Sequence, residues 1–72
     1  MISPLVRDAY EHIIAYLPQT EYECIMRTGW ARIDQFFQLV IRTSENSELR
    51  RVAGLALALH KAKEELASIS AA

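Results

Sequence analysis

Residues Val52 to Leu59 read VAGLALAL and run directly into HKAKEEL at residues 60 to 66. A stretch with no charge over that length fits a buried strand, part of a membrane span, or a helix with more apolar faces than one small domain can cover. A span needs about 20 apolar residues, so the stretch is too short for one. The spacing of its large side chains decides between the other two. Val52, Leu55, Leu59, Ala62, Leu66 and Ile69 step by three, four, three, four and three, which is a heptad seam. This predicts a helix from about Glu48 to Ser68 with Val52, Leu55 and Leu59 in the core. Leu57 falls away from that seam, flanked by Ala53 and His60. On this reading the three lie on a shallow outer surface that another helix could approach.

Working back toward the N-terminus, TSENS at residues 43 to 47 is a polar turn rich in capping residues, long enough to reverse the chain between neighbouring helices. Before it, Thr20 and Glu23 have the capping-box relation, and Tyr22, Met26, Gly29, Ile33, Phe36 and Val40 follow at heptad steps. These predict a second helix, continuous over residues 21 to 43, whose seam faces that of the last helix. Gly29 costs about 1 kcal/mol against Ala inside a helix, so it marks either a close approach between helices or a break after Thr28. Continuity is the expectation taken. Trp30, Phe37 and Ile41 form a second apolar row beside the seam. The first helix, residues 4 to 17, has Ser3 placed to cap, Pro4 at its first position and Pro18 as its stop. Val6, Ala9, Tyr10, Ile13 and Leu17 lie on one face of it.

The expected fold is therefore all-α: a short N-terminal helix followed by a long antiparallel helical hairpin, three helices per chain, in one domain over residues 1 to 72. A monomeric core of 72 residues is usually marginal. The single cysteine, Cys24, excludes an intramolecular disulfide, and no Cys/His framework for a metal is present. Three helices of these lengths leave apolar surface open, so the expectation is a homodimeric bundle. A lone cysteine suits a reducing compartment, and no charged segment followed by an apolar one opens the chain as in a secretory signal. The expected location is cytoplasmic, with no membrane partner. A formal charge of -1 provides no general attraction to nucleic acid or anionic lipid.

No catalytic group assembles from the sequence. His12 and His60 are the only imidazoles, and neither has a serine, cysteine or aspartate at a spacing that brings a catalytic set together. Glu64 follows His60 by four positions, a pairing more typical of a solvated helix contact than of an acid–base couple. Gly29 and Gly54 are isolated, so there is no phosphate loop. No enzyme activity, cofactor or metal is expected.

A break at Thr28-Gly29 would create a helix-turn-helix with ARIDQFFQLVIR, residues 31 to 42, as its second helix. Most of that segment's bulk must be buried, leaving Arg32, Gln35 and Gln38 as its polar readers. The close basic pair Arg50-Arg51 is flanked by Glu45 and Glu48. Nucleic-acid binding is thus the alternative expectation, as a degenerate DNA-binding transcriptional regulator. The leading one is a small protein-binding regulator, an adaptor or inhibitor that acts as a homodimer and occludes a surface on a larger protein such as a transcription factor or ATPase. Its expected interface residues are Tyr16, Trp30, Phe37, Ile41, Ala53, Leu57 and His60. The layout, a short helix and then a hairpin with LRRVAGLALALHKAKEEL in its last arm, is similar to small helical regulators and phage-encoded inhibitors of bacterial proteins. That resemblance implies a bacterial or phage setting and assigns no role to any residue.

Overall fold

Proline sets both ends of the first helix. In a computed structural model, α1 (Pro4–Tyr16) starts on Pro4, where the missing N–H is one of the four orphans in any case. It stops as Leu17 turns extended ahead of Pro18. Val6, Ile13 and Leu17 are buried, and Ala9 and Tyr10 pack against the core, so the face read from the sequence is the face used. The other helices are α2 (Gln19–Thr28), α3 (Ile33–Thr43) and α4 (Ser47–Ala71), with no strand among the described residues. The structure describes residues 3–71, and the side chains of residues 3–69.

The expected second helix is two helices, which corrects the three-helix reading to four. Gly29 is the break. Its φ of 81° and ψ of 152° lie in a region open essentially to glycine alone. Its N–H still closes on the Ile25 carbonyl at 2.9 Å, and the Thr28 hydroxyl turns back to the Cys24 carbonyl at 3.0 Å. Four residues later α3 begins, with Gln35 Oε1 accepting from the Ala31 N–H at 2.8 Å and the Arg32 N–H at 3.3 Å. Gly29 is not a close-approach site, since a side chain placed there would meet nothing within 4 Å. The proposed seam through Met26 and Gly29 is likewise replaced: Met26 is exposed and Ile25 is buried. Nor does Thr20 cap, because α2 already starts at Gln19 with Pro18 ahead of it.

The turn folds the second apolar row inward. Trp30 sits 5.9 Å from Tyr10 and 5.2 Å from Phe36 between ring centroids, Tyr10 is 4.8 Å from Phe36, and Phe36 is 5.7 Å from Phe37. Edge-on and tilted contacts of this kind favour the ring quadrupoles as well as burial. Phe36, Phe37 and Val40 of α3 join Val6, Ile13 and Leu17 of α1 and Ile25 of α2 in one core cluster. A straight helix over 21–43 could not have wrapped these rings, and the sequence estimate of leftover apolar surface assumed one.

The polar turn before α4 behaves as its composition suggests. Asn46 Oδ1 accepts from the N–H groups of Glu48 at 3.0 Å and Leu49 at 3.2 Å, satisfying two orphan donors of the helix start. Ser44 Oγ accepts from the Asn46 N–H at 3.2 Å, and Glu21 Oε2 accepts from the Glu45 N–H at 3.0 Å, which ties α2 to this turn. From there α4 runs 25 residues, about 37 Å of helix, in a molecule whose longest dimension is 43 Å. It packs against α3 and α1, and its buried residues Leu49, Ala53 and Ala56 all lie in its first half. Residues 61 to 69 are exposed without exception.

Candidate functional site

α4 carries a buried face and an exposed one, with half-buried residues between them. The inner face carries Leu49, Ala53 and Ala56, all buried in the core cluster, with Leu57 half-buried against it. His60 continues this face with its side chain 15% exposed. The outer face carries the heptad seam. Val52 and Leu59 lie half-buried at its edge, Ala62 is exposed, and Leu55, Leu66 and Ile69 are 67%, 63% and 72% exposed. The seam read as core is thus split: Val52 and Leu59 pack against the core as read, while Leu55, Ala62, Leu66 and Ile69 are turned out. Leu55, expected inside, is at the surface, while Ala53, Leu57 and His60, expected outside, pack inward.

The cause is volume. Core packing needs complementary sizes, and α3 and α1 bring Phe36, Phe37, Ile13 and Val6 to the shared core. The inner face of α4 meets this bulk with Leu49 followed by two alanines. A face marked by small residues gives little hydrophobic signal, so the larger side chains of the other face drew the sequence reading to themselves.

Of the seven residues expected at an interface, Phe37 and Ala53 have 0% exposure and are core, so neither can gain a contact from a partner. Trp30, Ile41 and Leu57 are half-buried against the core. His60 is turned to the inner face. Tyr16 alone is fully at the surface, 67% exposed, with its ring 4.8 Å from that of His12. It borders a shallow groove of about 240 Å³ with His12, Asn46, Glu48 and Leu49. The structure therefore does not bring the seven together as one surface. The residues missed as contact candidates are Leu55, Leu66 and Ile69, and the signal for them was already present as their heptad spacing.

One polar cluster links the glycine turn to α4. Glu64 Oε1 accepts from Arg32 Nη2 at 3.0 Å and lies 3.0 Å from His60 Nε2, and Arg32 Nε stands 3.4 Å from Asp34 Oδ1. With Arg32 and Glu64 both more than half-solvated or nearly so, each pair is a modest contact. Its chemistry is that of a latch holding the Gly29–Arg32 turn against the helix. Among the described residues there is no group of three or more His, Cys, Asp or Glu side chains that could hold a metal ion. No helix among them is long and apolar enough to cross a membrane. Cys24 is exposed.

The apolar stripe on α4 is consequently the candidate site. Comparison with family models, with characterised proteins and with solved structures finds no match for the chain.

Proposed function

We propose that this chain is a non-enzymatic protein-binding regulator that acts as a homodimer and occludes a surface on a larger protein. The observation that carries the proposal is the outward heptad seam of α4. Three large aliphatic side chains more than half exposed on one line are unusual on a solvated helix, and heptad spacing is the pattern by which one helix covers another. Tyr16, exposed beside the His12 and Asn46 groove, is of the residue type that anchors interfaces and lies away from the seam, which leaves it available to the larger partner. An exposed, unpaired Cys24 suits action in the reducing cytoplasm. The test is thermal melting over a hundredfold range of protein concentration. Association linked to folding raises the melting temperature with concentration; a constant value would contradict the dimer.

A second reading gains support from the break at Gly29, which supplies the helix–turn–helix that DNA binding by α2 and α3 requires. Its chemistry is weaker. Base-reading side chains come from the N-terminal part of the second helix, and here Gln35 is held by the Ala31 and Arg32 N–H groups while Arg32 is paired with Glu64 and Asp34. Binding to a generic DNA duplex at low and high salt separates the two readings. The protein-binding reading predicts no binding, and a salt-sensitive complex would favour the second.

A further inference from the structure

We propose that α2 is a strap that opens as one unit while α1, α3 and α4 stay folded, uncovering the side of α3 on which it packs. The strap works within one chain, so it does not depend on whether two copies associate. The packing of the helices singles it out. α4 packs on both α3 and α1, which makes a three-helix body, whereas α2 packs chiefly on α3. Only Ile25 of its ten residues is buried, with Tyr22 half-buried against the core, while α3 buries Phe36, Phe37 and Val40. Every other residue of the buried apolar cluster lies on α1, α3 or α4 or at Leu17, so the cluster loses one member when α2 leaves. Segments with few buried apolar contacts open at a free energy below that of the whole chain.

Each end of the strap has a hinge and an anchor. Leu17 is buried, and the backbone runs extended through Leu17 and Pro18 before α2 begins. At the other end Gly29 takes a φ of 81° with open space around it, and Trp30 is held against Tyr10 and Phe36. Residues 18 to 29 can therefore leave the body while Leu17 and Trp30 keep their places. Within α2, Gln19 Nε2 donates to Glu23 Oε1 at 3.1 Å and the Thr28 hydroxyl donates to the Cys24 carbonyl, and these bonds travel with the helix. Among the described residues one side-chain hydrogen bond ties α2 to another part of the chain, from the Glu45 N–H to Glu21 Oε2 at 3.0 Å. The same carboxylate weakens the closed state, since Glu21 Oε1 is buried with no hydrogen-bond partner. A carboxylate oxygen shut away from water without a partner costs free energy that opening returns. Once open, a helix of ten residues does not hold itself together in water, so its amides become free to exchange.

Amide hydrogen exchange of the full chain, followed by NMR at low urea concentrations, tests this. The amides of Tyr22 to Gly29 should share one protection factor, about tenfold or more below the best-protected amides of α3 and the first half of α4, with a weaker dependence on urea. A second measurement uses Val6→Ala, which trims a fully buried side chain of α1, a helix of the body. Wherever exchange requires the body to unfold, protection should fall by about tenfold. The α2 amides should stay within about twofold of their natural values, because Val6 remains packed when only the strap is open. Protection in α2 equal to that of the body, or an equal loss in α2 on Val6→Ala, would show that α2 opens only with the whole chain and would overturn the proposal. Protection graded inward from the ends of α2 would also overturn it, since that is fraying rather than the opening of a unit.

Discussion

The two faces of α4 share one helix and are both apolar, one small and one bulky, yet they have opposite fates. The inner face, with Leu49, Ala53 and Ala56, disappears into the core, and the outer face, with Leu55, Leu66 and Ile69, stays in solvent. The difference teaches that hydrophobicity alone does not choose the buried side of a helix; the shape of what it packs against does. Aromatic bulk from α3 selects the flatter face. The bulkier face is left in solvent.

The sharpest way to break this contrast is to remove the same side chain from each face. Leu49→Ala, at 2% exposure, should cost about 2–5 kcal/mol in lost burial and cavity formation. Leu55→Ala should change the stability of the monomer by no more than about 0.5 kcal/mol. Urea denaturation at low protein concentration reads both, and similar losses would mean the faces do not differ as described. The reciprocal substitution enlarges an alanine on each face. Ala53→Leu overpacks a site with no free surface and should destabilise by about 1–3 kcal/mol, whereas Ala62→Leu sits in solvent and should again stay within about 0.5 kcal/mol. A tolerated Ala53→Leu would show that the inner face is loosely packed. Gly29→Ala sharpens the contrast from a distance, because the turn it permits is what brings Trp30 to Tyr10 and Phe36. The strain of a side chain at that φ and ψ should cost about 1–3 kcal/mol although the space around it is empty. An unchanged melt for this variant would mean that the turn does not depend on glycine.

Much of this architecture was legible in the residues. Pro4 and Pro18 fixed the ends of α1 because proline acts on the backbone whatever surrounds it. The TSENS turn and the helix after it were readable for the same local reason. The break at Gly29 was not, since a lone glycine inside a periodic pattern is compatible with either outcome, and the choice was made by tertiary burial of Trp30, Phe36 and Phe37. The facing of α4 was missed because Ala53 and Ala56 gain their importance only from the size of residues on other helices. The interface candidates suffered most from this. Phe37 was placed outside by an inventory of surfaces that assumed a straight helix over 21–43, and Ala53 by the choice of seam on α4, where the heptad through Leu55, Leu66 and Ile69 was correctly seen and then assigned to the wrong side.

The central claim is that the outer face of α4 joins two copies of the chain. Sedimentation equilibrium of the natural chain and of Leu55→Glu, at micromolar protein, tests it most directly. The account predicts twice 8.2 kDa for the natural chain and 8.2 kDa for the variant, with the helical circular dichroism of the two alike because Leu55 is exposed within each chain. A natural chain that sediments as a monomer, or a Leu55→Glu variant that remains a dimer, would contradict it.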